Sequence, residues 1–255
     1  MAAPAASGYA VGCQGGGSAE RVIRVATYNI HAAIGADRRR DLERIAAVIE
    51  EIGPDVIGLQ EVESRASRGG SDQAMRLAAM LGMVCVEGPM MLEGPGWYGN
   101  AILSRLPVLA EQRLRFPAHS GEPRGAVGVL VEDPQGGRWR LINTHLDLWS
   151  RSRLRQVQSL ARLLENAGEP WILLGDLNEW RPRAPALVSL RRLGHVPPAP
   201  PSYPSRWPVF ALDRMVVRRC RIEGPLRPHV SALSRRASDH LPVVAEVRPR
   251  PKEPG

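Results

Sequence analysis

Asp176 and Asn178 stand two apart in WILLGDLNEW (171–180), where an apolar run ends. The same arrangement recurs along the chain. RVATYN ends at Asn29, DVIGLQ runs into Gln60 and Glu61, and LINTH ends at His145. ALDR carries Asp213, and ASDHLPVV opens with Asp239 and His240. A single strand-end Asn or Asp is most simply a turn former. Six polar strand ends in one chain point instead to one site, because layered α/β folds gather ligands where rigid strands deliver loops. The chemistry that suits these groups is hydrolysis at phosphorus. Glu61 with Asn29 offers hard oxygen ligands of the kind Mg²⁺ takes, alongside water and substrate phosphate. Asp176 is able to accept a proton from an attacking water, and His145 and His240 to donate to charge developing on phosphate oxygens. The chain has no Ser-His-Asp or Cys-His nucleophile motif and no GxxxxGK[ST] loop.

The elements that must position these groups are legible from periodicity. RVIRVATYNI (21–30) and DVIGLQEVES (55–64) read as strands. Between them Leu42, Ile45, Ala46, Ile49 and Ile52 follow helical spacing from Asp41, and Gly53-Pro54 stops the helix. A second helix is expected over 71–81, capped by Ser71, with Leu77, Ala78 and Leu81 inward. Strands are expected over 99–110, 126–132 and 139–148. Ser150 is the expected cap of a helix to about Asn166, closed by Gly168, with Leu154, Val157, Ala161 and Leu164 on its inner face. A short helix from Pro185 to Leu193 ends at Gly194, and a proline-rich loop covers 196–208. ALDRMVV (211–217) and LPVVAEV (241–247) complete the strands. Helices and strands alternate first and strands cluster later, which fits a two-sheet core flanked by helices in one domain over 21–248. Residues 1–20 read as a disordered tail of small residues, and 249–255 as a short C-terminal tail.

Composition narrows the setting. The 255 residues carry a formal charge of +8, and all but one of the 34 basic residues are arginine. The balance favours anionic phosphate substrates, although so strong an arginine preference also fits a GC-rich genome. The chain has no apolar run long enough for a transmembrane helix. Cys13, Cys85 and Cys220 are odd in number and lack CxxC spacing, so a reducing, cytoplasmic setting is expected.

Taken together, TYN (27–29), LQEVE (59–63), GNAILSR (99–105), PRGAV (123–127), NTHLD (143–147), GDLN (175–178), LDRMVV (212–217) and SDHLPV (238–243) resemble the endonuclease/exonuclease/phosphatase superfamily, which includes deoxyribonuclease I. The blocks occur in that family's order and cover nearly all of 22–247. The resemblance implies a four-layer α/β sandwich, two packed sheets with helices outside. It implies a Mg²⁺-dependent phosphoesterase, with Mn²⁺ as a substitute. Glu61 is then the principal metal ligand, with Asn29 beside it and Asp239 near the metal through water. Asp176 aligns or deprotonates the water, Asn178 contacts the scissile phosphate, and His145 and His240 flank it. Asp213 orients His240. Arg124 and Tyr98 fall where the family places phosphate-contacting groups. The base is left open between Asp176 and a histidine.

The pattern departs from exonuclease III-type enzymes. His31 stands where they carry an acidic residue, and the aromatics of an abasic-site pocket have no counterpart. GDLNEW with YPSRWPVFALDRMVV (203–217) is similar to a compact bacterial group of metal-dependent hydrolases. A phospholipid headgroup or other small phosphoester is therefore ranked above DNA as substrate, with a nuclease as the alternative and a non-catalytic binding protein behind both. A monomer, cytoplasmic or peripheral to a membrane, is expected. Trp149, Trp180 and Trp207 are read first as core and loop packing, and secondly as contacts for a lipid or base.

Overall fold

The computed structural model describes residues 22–69, 71–117, 122–165 and 167–250. The N-terminal tail expected over 1–20, the helix end expected at Asn166 and residues 251–255 lie outside the described residues. The chain begins with β1 (Ile23–Asn29), α1 (Leu42–Ile52), β2 (Val56–Glu63), α2 (Gln73–Leu81), β3 (Val84–Glu93) and β4 (Gly96–Ser104). It continues through β5 (Val108–Arg115), β6 (Gly125–Glu132), β7 (Arg138–His145), α3 (Ser150–Leu164), β8 (Trp171–Asp176) and α4 (Pro185–Leu193). It ends with β9 (Asp213–Arg218), β10 (Cys220–Ile222), β11 (Arg227–Pro228), the short α5 (Ser234–Ala237) and β12 (Val243–Pro249).

Two mixed sheets result. One has the order β10-β12-β1-β2-β4-β3, with β11 also on β12, and the other the order β5-β6-β7-β8-β9. Residues alternate faces along a strand. Val25, Val56, Val127, Val129, Ile172, Leu174, Met215 and Val243 meet in the layer between the sheets. The opposite face of the first sheet packs Ala26, Tyr28, Ile57 and Leu59 against α1 and α2. The opposite face of the second packs Trp171, Leu173 and Val216 against α3 and α4. This is the four-layer α/β sandwich. No helix among the described residues is long and apolar enough to cross a membrane.

Most local signals act as read. Every apolar position named on α1 is buried, Gly53 closes that helix in the left-handed conformation, and α4 runs from Pro185 to Leu193 with Gly194 after it. Five readings are corrected. The strand expected over 99–110 is two strands in different sheets, because the chain leaves β4 at Ser104 and crosses at Leu106-Pro107 before β5. Asp72, not Ser71, caps α2, its carboxylate accepting from Met75 N. Ser150 is the first residue of α3, and Trp149 holds the cap position without a side-chain bond. The buried face of α3 runs through Arg153, Gln156, Val157, Leu160 and Leu164, leaving Leu154 and Ala161 only partly buried. β12 also extends to Pro249, one residue into the expected C-terminal tail. β3 is unforeseen. It holds Gly88-Pro89, and Pro is tolerated because β3 is the edge of its sheet.

A polar clasp crosses the otherwise apolar layer between the sheets. Asn143, on β7, donates from Nδ2 to the carbonyls of Leu59 (2.8 Å) and Ala101 (2.9 Å) in the other sheet. Its Oδ1 accepts from Gln60 Nε2 at 2.6 Å, and Gln60 also reaches Thr27 Oγ1 at 3.0 Å. Gly58 makes room for it, since a Cβ there would overlap the Asn143 carboxamide and Leu174. All of these groups are buried, and a buried polar group stripped of its partner carries the full desolvation penalty. Asn143→Ala removes one acceptor of Gln60 and the donor to two carbonyls at once. It should lower unfolding free energy by about 2–4 kcal/mol, read from urea denaturation.

Candidate active site

Five strands, with the segment before β12 that carries Asp239 and His240, bring most of the expected site residues to one end of the sandwich. Asn29 shares the inter-sheet face of β1 with Val25 and Thr27, and Asp176 that of β8 with Ile172 and Leu174. His145 follows Leu141 and Asn143 on β7, and Asp213 precedes Met215 and Val217 on β9. The parallel pairing of β7 with β8 sets His145 beside Asp176, and the antiparallel pairing of β8 with β9 sets Asp176 opposite Asp213.

Glu61 breaks this alternation. By parity it belongs with Leu59 on the helix-covered face. A bulge between Leu59 and Val62 interrupts the register with β4, and Glu61 takes a φ of 57°. A bulge re-aims a side chain. Here it turns the carboxylate inward to accept from Asn29 Nδ2 at 2.8 Å. The same Nδ2 reaches Asp176 Oδ2 at 3.1 Å, so one amide group joins two carboxylates. Asn29 Oδ1 accepts from His31 N at 3.0 Å. His31, Ala32 and Ala33, which follow, all have positive φ (46°, 51° and 59°). Each such L-residue costs about 1–2 kcal/mol. Gln73 Nε2 on the Ala32 carbonyl and Asp41 N on that of Ala33 hold the turn.

Asp176 is the hub. Its Oδ1 accepts from Asn178 N at 2.9 Å, and its Oδ2 lies 3.5 Å from His145 Nε2 and 3.7 Å from His240 Nε2. The spacing of Asp176 and Asn178 reads on an extended chain as one shared face, but the strand stops at Asp176 and Asn178 is left-handed, with φ 49°. The two meet because the Asp176 carboxylate caps the turn. Asn178 Nδ2 then bonds the Leu146 carbonyl at 2.9 Å and lies 3.0 Å from His145 Nε2. Gly175, before the hub, has a φ of 147°, and a Cβ there would overlap the Thr144 carbonyl oxygen of the neighbouring strand.

The two histidines are driven to opposite charge states. Burial works against a charged ring at His240, but Asp213 outweighs it. Asp213 Oδ2 meets His240 Nδ1 at 2.8 Å, Asp176 and Asp239 add to the attraction, and the ring's pKa rises to about 10. Ser202 Oγ secures that Asp213 oxygen at 2.6 Å. His145 goes the other way. Burial first, then the charges of Arg124 and His240, hold it well below the usual imidazole range. Arg124 Nη1, able only to donate, lies 2.9 Å from His145 Nδ1, and the Asn178 amide faces Nε2. Asp176 itself rises to about 6, chiefly through burial and also through Asp213, against the pull of His240 and its hydrogen bonds.

Asp176, Asp213 and His240 offer ligand atoms within 4.8 Å of one another. Within it His240 Nδ1 and Ser202 Oγ occupy Asp213 Oδ2, while Asp213 Oδ1 is buried without a hydrogen-bond partner. Glu61 suits a hard cation better: among the described residues only Asn29 hydrogen-bonds its carboxylate, which is not fully buried. An oxygen ligand from Asn29 requires its amide to turn over, since Nδ2 now faces Glu61. Asp239 Oδ1 lies 3.5 Å from His31 Nδ1. Arg124 and Tyr98 line a small cleft with Glu61, His145 and Glu122. Arg124 pairs with Glu122 at 3.0 Å, and Arg65 lies over the Tyr98 ring at 4.9 Å.

The sequence model of the Endonuclease/Exonuclease/phosphatase family matches residues 26–240. The chain belongs to this family. It is 26% identical over 244 residues to the uncharacterized protein YbhP of Escherichia coli K12, covering 88% of this chain and 96% of YbhP. Among solved structures it is similar to an endonuclease/exonuclease/phosphatase from Beutenbergia cavernae, with 26% identity, TM-score 0.68, and coverage of 90% of this chain and 72% of the other. The human Nocturnin catalytic domain, solved with bound sulfate, is 22% identical with a TM-score of 0.70, covers 90% of this chain and 95% of its own, and shares the fold. Members of the endonuclease/exonuclease/phosphatase family are generally hydrolases of phosphoester bonds, commonly with divalent metals.

Several site neighbours escaped the sequence reading. Ser202 and Tyr203, whose ring lies 4.8 Å from that of His240, sit in the proline-rich loop and carry no periodic signal. Glu122 was legible only as the residue two before Arg124. Glu179, just after Asn178, is a buried anchor. It accepts from Arg153 Nη2 at 2.7 Å and from Arg181 Nε at 2.9 Å, while its carbonyl takes Arg214 Nε at 2.8 Å. Burial alone would raise the Glu179 carboxyl, but Arg181 and Arg153 outweigh it and bring it to about 2. A carboxylate lowered in the folded state stabilises above its unfolded pKa of about 4.3 and loses that contribution as pH falls towards 2. The stability gap between the native protein and Glu179→Gln should therefore be full near neutrality and shrink across that acid window, as followed by thermal melts at stepped pH.

Proposed function

We propose that this protein is a Mg²⁺-dependent phosphodiesterase acting on a small phosphoester or phospholipid headgroup. The observation that supports it most is the Asn29 amide joined to both Glu61 and Asp176, with a neutral histidine and a cationic one on either side of Asp176. In this reading Glu61 would hold the metal, with Asn29 and Asp239 beside it. The bound ion would stabilise negative charge on the phosphoryl oxygens and ease deprotonation of the attacking water. Asp176, raised to about 6, takes the water's proton near neutral pH. His240, kept charged by Asp213, donates to the oxygen on which charge develops. His145, Arg124 and Asn178 donate to the remaining phosphate oxygens, and Tyr98 lines the same cleft as Glu61 and Arg124. Asp213 acts through His240 as a positioning residue.

Glu61→Gln, Asp176→Asn and His240→Ala should each lower turnover of bis-p-nitrophenyl phosphate at least about 100-fold with an unchanged far-UV spectrum. EDTA should abolish turnover, and Mg²⁺ or Mn²⁺ restore it. Native-like rates in all three variants would sink the reading.

DNA is the second candidate substrate, and the +8 charge is what favours it. A nuclease that clamps the duplex should lose affinity steeply between roughly 50 and 200 mM salt. A duplex that fails to bind even at low salt removes this alternative.

A further inference from the structure

The three loops that leave the catalytic strand ends carry an exposed apolar rim. Leu148 and Trp149 follow His145 and are 69% and 68% exposed. Trp180 follows Asn178, and Trp207, Val209 and Phe210 precede Asp213; Trp207 is 80% exposed. Trp149 and Trp207 are thus not core residues, while Trp180 keeps a loop-packing contact with Phe210. The loops are tied to one another and to the hub. Arg153 bonds the carbonyls of Asp147 and Leu148 and pairs with Glu179, next to Trp180. The Trp180 ring lies 5.7 Å from that of Phe210, which bridges to Tyr203, and Tyr203 lies against His240. The rim is therefore held rigidly at the mouth of the site.

Its charge has one sign. Arg151, Arg181, Arg183 and Arg206 are exposed on these segments, and the one acidic side chain in 148–151, 179–183 and 205–210, Glu179, is buried beneath them. Leu148 and Val209 beside the tryptophans decide between occupants. Aliphatic side chains offer nothing to a base-stacking platform, which uses planar faces. They do enter the acyl boundary of a bilayer, where tryptophan favours the interface and arginine the anionic headgroups.

We propose that this rim docks the protein on an anionic phospholipid bilayer and presents the catalytic mouth to phosphoesters at the lipid surface. Which phosphoester is turned over rests on the phosphodiesterase reading; the docking does not.

The test is co-sedimentation of the full chain with phosphatidylglycerol/phosphatidylcholine vesicles and with phosphatidylcholine vesicles, and binding of a single-stranded oligonucleotide. The native protein should bind the anionic vesicles more strongly than the neutral ones, with a blue-shifted tryptophan emission. Trp149→Ala/Trp207→Ala should weaken that binding roughly tenfold or more while leaving the thermal midpoint and bis-p-nitrophenyl phosphate turnover unchanged. Absence of vesicle binding, vesicle binding equal in the double variant, or rim-dependent binding of the oligonucleotide alone would each overturn the proposal. Because docking is read without turnover, a catalytically inert protein that still docks would fail the functional reading and keep this one.

Discussion

A dry layer between two sheets has no place for a carboxylate unless something else satisfies it, and this constraint organises the molecule. Over most of the sandwich the inner faces are valine, leucine, isoleucine and methionine. Near one end Asn143 and Gln60 introduce polar groups that bond each other and the facing backbone across the layer, with Gln60 Oε1 left unpartnered. Only beyond that clasp do Asn29, Glu61, Asp176, His145 and His240 appear. The clasp fixes the spacing of the sheets where the site begins, so side chains from β1 and β8 meet within hydrogen-bond reach.

From that spacing follows the division of charge. Two buried histidines at similar distances from Asp176 differ in what lies behind them. Behind His240 is the Asp213 carboxylate, steadied by Ser202; behind His145 is the Arg124 guanidinium. A carboxylate holds a proton on one ring and a cation excludes it from the other. The same hub extends outward through Tyr203 and the buried Arg153–Glu179 pair, so the exposed rim is braced by the groups that shape the site.

The strands, most helices and nearly every polar residue now seen around Asp176 were legible, because each strand's apolar run ends on the residue that matters. Failures occurred where a local signal had two readings. Ser71 and Asp72 are both good caps, and only the packing of α2 selects Asp72. GNAILSRLPVLA is uniformly strand-like, and only the crossing between sheets breaks it in two. Ser202 and Tyr203 were hidden by a proline-rich loop whose course has no period.

The sequence alone determined the α/β class, the family's ordered blocks and the polar strand ends that gather around Asp176, because alternation and helical spacing are properties of neighbouring residues. Tertiary structure decided the rest. It turned Glu61 inward through a bulge that parity does not predict, made Asp176 and Asn178 partners in a capped turn, and exposed tryptophans that composition suggests burying. It set one histidine against a carboxylate and the other against an arginine. These outcomes depend on groups far apart in the chain, and only the packing of one sheet on the other brings them together.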